Sequence, residues 1–124
     1  MYNLKLSCVA TVAVIFSSLT FAADCDAVST LVIERLANTA DVPVDVVDVD
    51  AALSQQSFSV DLLSILDVVI NIEETLDIKL SDEDVVDPVV ELDEEGYGPE
   101  LRKDITVKEF QNIVYHTCVQ GVST

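Results

Sequence analysis

Apolar residues recur every three or four positions in three stretches of the chain, and this spacing predicts helices with one buried face. These stretches are 26–38, 61–76 and 106–118. Asp26 is the expected N-cap of the first helix, and Asn38 is its expected stop. Thr106 and Glu109 have the spacing of a capping box at the start of the last helix. The pattern therefore predicts a mainly helical fold.

The central stretch, 61–76, is the most apolar of the three. Asp61 stands where an N-cap is expected. Leucine, isoleucine and valine then cover most of the circumference, so no side of this helix is clearly polar. A helix of this kind is either buried or covered by a partner.

The segment 41–60 alternates valine with aspartate over much of its length, and a period of two is typical of a strand. Pro43 and the many aspartates count against a stable strand. We therefore predict an ordered loop whose valines enter the core, with a short helical turn at 51–53.

The segment 81–104 is acidic and shows no regular spacing of apolar residues, so it predicts an irregular loop. Its Gly-Tyr-Gly-Pro sequence is a strong turn signal. Val89, Val90 and Leu92 are expected to hold this loop against the core, with 94–97 as its exposed tip.

The first residues of the chain have the organisation of a secretory signal. Lys5 provides a short basic start, an apolar run follows at 8–16, and small residues precede the expected cleavage after Ala22. The apolar run is too short to span a bilayer stably. We therefore predict a signal peptide at 1–22 and one domain at 23–124, with an uncleaved anchor as the alternative.

Charge limits the kinds of partner that this chain can bind. It has 23 acidic and 6 basic residues, a formal net charge of -17. Lys5 leaves with the signal, and the remaining 23 acids against 5 bases give a charge near -18. Nucleic acid is not expected, because phosphate contacts need clusters of lysine and arginine. A protein with a basic surface is the natural complement, unless the charge serves solubility alone.

Removal of the signal also changes the number of cysteines from three to two. The remaining pair is Cys25 and Cys118. An even number of cysteines in an exported chain points to a disulfide. We therefore expect a periplasmic or secreted protein with no membrane span after cleavage.

The central helix lies inside a longer motif at 58–84, in which an aspartate, an apolar helix, two glutamates and an acidic loop follow in order. This order resembles the acyl carrier protein family, whose motif is leucine-glycine-x-aspartate-serine-leucine, an apolar helix, two glutamates and a proline-aspartate-glutamate loop. Asp104-Ile-Thr-Val resembles the entry into the family's last helix, and 46–53 resembles its long first loop. The resemblance covers about 26–118.

The family's attachment serine has no counterpart here. In the family this serine follows the aspartate that matches Asp61 and carries 4'-phosphopantetheine, but Leu62 occupies the position in this chain. The spacing to Glu73 and Glu74 rules out a shifted alignment. Since leucine has no hydroxyl, we expect no cofactor. Ser64, about 200° further around the helix, is the alternative attachment site.

The resemblance implies an all-α fold, a four-helix bundle with a long first loop and an enlarged loop before the last helix. The family's first and last helices run antiparallel, which implies that Cys25 and Cys118 meet at one end of the bundle. Family members present the acidic side of their second helix to basic partners. The matching partner-binding residues are Asp61, Asp67, Glu73 and Glu74.

Metal binding and catalysis find little support in the sequence. The acidic runs at 45–50 and 82–84 lack the pattern of an EF-hand loop. The single histidine, His116, lies near the end of the last predicted helix, away from any evident nucleophile. We therefore expect neither a metal site nor an enzyme.

Three functions remain open from the sequence. The first is an exported, unmodified carrier-like domain that acts as an acidic protein–protein interaction module. The second is a true carrier of acyl groups on phosphopantetheine, attached at a non-standard serine. The third is an acidic inhibitor or immunity-type protein that neutralises a basic enzyme.

Overall fold

The computed structural model describes residues 24–123, so the predicted signal at 1–22 lies outside the described residues. Residues 24–123 form four α-helices and a two-stranded antiparallel sheet, which confirms the mainly helical class. The helices are α1 (Val28–Ala40), α2 (Leu62–Leu76), α3 (Asp82–Val85) and α4 (Val107–Ser123), and the strands are β1 (Val90–Leu92) and β2 (Pro99–Leu101). No helix in this part of the chain is long and apolar enough to cross a membrane.

The first helix, α1, is displaced by two residues from its predicted position. Asp26 does not cap it, because Asp26 lies in a 3₁₀ turn at Cys25–Ala27 and α1 has no side-chain cap. The helix also continues past Asn38. It ends where Asp41 takes a left-handed φ of 56° and its N–H donates to the carbonyls of Ala37 and Asn38.

The predicted caps of α2 and α4 are confirmed. The Asp61 carboxylate accepts the Ser64 N–H at 2.9 Å, and the Asp61 N–H donates to Ser64 Oγ at 3.3 Å. The Thr106 N–H donates to Glu109 Oε1 at 3.2 Å, and the Glu109 N–H donates to Thr106 Oγ1 at 3.1 Å. Each pair satisfies helix N–H groups that have no partner within the helix.

The core lies between α1, α2 and α4, and α3 packs against α4. α1 and α4 run antiparallel, since the Cys25 Sγ lies 2.08 Å from the Cys118 Sγ and the buried Gln111 donates to the Ser29 carbonyl at 2.9 Å. The expected meeting of the two cysteines is therefore confirmed. Their sulfur atoms are at disulfide bonding distance, which fits an oxidising compartment.

The first loop is ordered through its contacts with the entry to α4. The Leu53 N–H donates to the Ile105 carbonyl at 2.8 Å. The Gln56 side chain closes the loop on itself, since its amide donates to the Asp48 carbonyl at 2.8 Å and its oxygen accepts the Asp48 N–H at 2.8 Å. These hydrogen bonds satisfy backbone groups of the loop that no helix or strand pairs.

The valines of this loop enter the core only in part. Val47 and Val49 pack against it, whereas Val44 and Val46 are 51% and 38% exposed. The predicted helical turn at 51–53 lies slightly later in the structure. The two 3₁₀ turns of the loop are Val44–Val46 and Leu53–Gln55.

The segment 81–104 is not the irregular loop that the sequence predicted. It contains α3, a 3₁₀ turn at Asp87–Val89 and the hairpin formed by β1 and β2. Val89 is fully buried as expected, but Leu92 is 74% exposed because it lies beyond the edge of the core. Each strand has three residues, too few for a period of two to stand out in the sequence.

Candidate functional site: an apolar and acidic face of α2

The side of α2 that points away from the core carries an apolar stripe. Leu63 is 73% exposed and Ile70 is 52% exposed, while Leu66 between them is partly buried. Their spacing of three and four residues places them on the same side of the helix. The sequence left open whether this helix is buried or covered by a partner, and no described part of the chain covers this side.

Two acidic residues border the stripe. Asp67 and Glu74 are seven residues apart, two helical turns, and therefore lie on one side of α2 close to Ile70. Asp67 Oδ2 lies 3.0 Å from Arg35 Nε of α1, in an ion pair that is partly exposed. Glu74 is exposed. We call Leu63, Leu66, Asp67, Ile70 and Glu74 together the α2 face.

The other two predicted partner-binding residues have local structural roles, Glu73 beside the face, where it lines a cleft with Leu66 and Ile70, and Asp61 at the head of α2. Glu73 points toward the end of α2, where its Oε2 accepts the Leu80 N–H at 2.9 Å and holds the connection to α3. Asp61 is exposed at the head of the helix and caps it. Of the four acids predicted from the sequence, Asp67, Glu73 and Glu74 therefore lie on or beside the α2 face, and Asp61 lies apart at the head of the helix.

The head of α2 has hydrogen bonds that serve the cap. The Ser64 N–H and then the Ser64 hydroxyl, which donates to Asp61 Oδ1 at 3.0 Å, lower the pKa of Asp61 below its ordinary value. The hydroxyl of Ser64 is thus engaged within the helix. Leu62 is partly buried and packs against the core, so no nucleophile stands at this position.

A cleft of about 380 Å³ lies between the head of α2 and strand β2. Its apolar lining includes Leu62 and Leu63 from the helix and Pro99 and Leu101 from the strand. A second cleft of about 380 Å³ borders the other end of the α2 face. It is lined by Leu66, Val69, Ile70, Glu73, Lys79, Leu80 and Asp82.

Elsewhere the described residues offer little chemistry. His116 is exposed on α4, and its ring contacts the edge of Tyr115 with centroids 5.6 Å apart. Between residues 24 and 123, no group of three or more histidine, cysteine or acidic side chains converges to hold a metal ion.

No protein-family profile, no curated protein and no solved structure matches this chain.

The exposed apolar members of the α2 face, Leu63 and Ile70, were not among the site residues predicted from the sequence, whereas Asp67 and Glu74 were. Leu63 and Ile70 were counted there as part of a helix that is apolar nearly all round. That pattern was itself the available signal, because a surface helix of a globular protein normally has a polar outer side.

Proposed function

We propose that this chain is an exported acyl-carrier-protein-like domain, unmodified by phosphopantetheine, that acts as an acidic interaction module for a partner protein with a basic surface. The observation that carries the proposal is the α2 face, where exposed Leu63 and Ile70 stand beside Asp67 and Glu74. A central apolar contact within a charged rim is the usual anatomy of a protein–protein interface.

The order of elements supports the carrier-like part of the proposal. A long helix is followed by a long ordered loop, a central helix with Asp61 at its head, a short helix and a final helix. This is the order that the resemblance at 58–84 implies. The hairpin before α4 is an addition to it.

The residues at the head of α2 support the absence of a cofactor. Leu62 stands where the resemblance places the attachment serine, and its side chain packs against the core. Ser64, the alternative attachment site, uses its hydroxyl in the cap with Asp61. Phosphopantetheine attached to Ser64 would therefore compete with the capping box that begins α2.

Electrostatics supports a basic partner. With 23 acids against 5 bases after removal of 1–22, the surface attracts cationic proteins and accelerates their association at low salt. The apolar residues of the α2 face would supply most of the affinity, since charges at a rim affect association rate and partner choice more than affinity.

The proposal is tested by identifying a partner from the exported fraction of the native host and measuring its affinity. We expect binding to weaken with salt, and Ile70→Ser to weaken it by more than about fivefold, the effect of losing a contact worth over ~1 kcal/mol. Val44→Ser is the matched control, because Val44 is equally exposed but lies in the first loop. Equal affinity for Ile70→Ser and wild-type protein would contradict the proposal.

The intact mass of the protein from its native host tests export and modification together. We expect a mass that lacks residues 1–22 and the two hydrogen atoms lost when Cys25 and Cys118 are oxidised to a disulfide, without phosphopantetheine. A mass that includes the prosthetic group would favour the true carrier. A mass that retains the first 22 residues would contradict export with cleavage.

A further inference from the structure

One face of the hairpin continues beyond the core. Residues directly opposite each other in an antiparallel pair share a face, and so do residues two apart in a strand. Val90 opposite Leu101 and Leu92 opposite Pro99 therefore form a single apolar face. Leu101 is buried and Val90 is partly buried, whereas Leu92 is 74% exposed and Pro99 is exposed. The face is anchored at one end and overhangs the core at the other.

The apolar face of the hairpin borders the head of α2 across a cleft. Val60, Leu62 and Leu63 line one side of the intervening cleft, and Pro99 and Leu101 line the other. Leu63 is 73% exposed, so the opening of the cleft carries an apolar side chain beside its charged ones. Two segments far apart in the chain thus leave a shared apolar surface that the core does not use.

The charges at the cleft select the kind of group that can enter it. Asp61 and Glu100 contribute two carboxylates to the lining, and Lys103 contributes one ammonium group. An apolar molecule with a carboxylate head would therefore meet net negative charge. An apolar side chain flanked by lysine or arginine would meet complementary charge, both here and in the strongly acidic chain as a whole.

We propose that this cleft binds one large apolar side chain, of about the size of phenylalanine, from a basic segment of the partner protein. Its volume of about 380 Å³ is at the lower end of the range for ligand sites, which suits one side chain and its neighbours. The inference rests on the proposed function and adds that the hairpin, together with α2, selects the partner.

The test uses two synthetic ten-residue peptides with the same lysines and arginines, one with a central phenylalanine and one with serine in its place. Each is titrated into the full chain, expressed for export, oxidised and labelled at isoleucine, leucine and valine methyl groups for NMR. We expect the phenylalanine peptide to bind about tenfold more tightly, as burial of one such side chain predicts. It should shift the methyl signals of Leu62, Leu63 and Leu101.

Two surface variants locate the contact. Pro99→Ser changes the exposed hairpin residue that lines the cleft, and we expect it to remove most of the tenfold preference for phenylalanine. Val44→Ser is the control at an exposed valine outside the cleft, and it should keep the preference. Because both residues are exposed, neither change is expected to disturb folding.

The outcomes separate this inference from the function on which it rests. Equal, salt-sensitive binding of both peptides would contradict binding of phenylalanine in the cleft. It would remain consistent with the proposed acidic interaction module. A preference for phenylalanine with methyl shifts at Ile70, and none at Leu62 or Leu101, would also contradict binding in the cleft and would favour the α2 face. Absence of binding by either peptide would overturn the cleft and count against the proposed function as well.

Discussion

At the scale of single residues, the head of α2 is committed to capping. Asp61 accepts hydrogen bonds from the Ser64 N–H and the Ser64 hydroxyl, while Leu62 between them carries an apolar side chain that packs against the core. These three residues provide helix stability and offer no reactive hydroxyl free of the cap. Glu73 also has a structural role, because its carboxylate accepts the Leu80 N–H.

Asp61 gives a prediction about stability and pH. Asp61→Ala should lower the free energy of unfolding by about 1 kcal/mol at neutral pH through loss of the cap, and Asp61→Asn should lower it much less. In the folded protein the pKa of Asp61 lies below its ordinary 3.8. Its charge-dependent stabilisation is therefore complete above that ordinary value and is lost as the pH falls toward the folded pKa.

Urea unfolding of the wild-type, alanine and asparagine proteins checks this prediction. Measurements at pH 7 and at several values below 4 should show the stability of wild type relative to Asp61→Asn declining as the pH falls. The asparagine variant serves as the control because it keeps the cap without the titrating group. A relative stability that does not change with pH would contradict the assignment.

At the scale of elements, the hairpin is the largest difference between expectation and structure. It is held by Leu101 and Val89, which are buried, and by the Arg102 N–H, which donates to the Val89 carbonyl at 2.8 Å. Its turn requires glycine at 96, where φ is 76°. The hairpin is therefore anchored at its base, and its outer end carries the exposed Leu92.

Two substitutions on one face of the hairpin test this arrangement. Leu101→Ala should lower the free energy of unfolding by about 2–4 kcal/mol, since it removes a buried side chain and leaves a cavity. Leu92→Ala should change it by less than about 0.5 kcal/mol, because Leu92 is mostly exposed. Chemical unfolding of both variants measures the difference, and similar losses would mean that the hairpin packs differently.

At the scale of the whole molecule, the contact between Cys25 and Cys118 closes almost the entire described chain. The two residues are 93 positions apart, and they join the turn before α1 to α4. A covalent bond here restricts the unfolded chain over that length. It also holds together the two helices that form the antiparallel side of the core.

Loss of this bond should lower the free energy of unfolding by roughly 4–5 kcal/mol at most, the figure for a closed loop of about 93 residues on the chain-entropy argument. Urea unfolding with and without dithiothreitol measures the effect. The double variant Cys25→Ala with Cys118→Ala is the control, because it should be as unstable as the reduced protein and should not respond to reductant. If reductant leaves the wild-type stability unchanged, the two thiols are not bonded in solution.

The sequence by itself determined the three long helices and the caps of two of them, and it did not predict the short helix α3. Those features depend on residues within four positions of each other, as in the pairs Asp61 with Ser64 and Thr106 with Glu109. The meeting of Cys25 with Cys118 was foreseen through the implied antiparallel helices.

Only the tertiary structure decided which side of α2 stays open, that Asp67 pairs with Arg35, and that Leu63 shares a cleft with Pro99. The physical reason is that exposure, ion pairs and clefts arise from contacts between segments that are distant in the chain. Local periodicity carries no information about which distant segment supplies the other side.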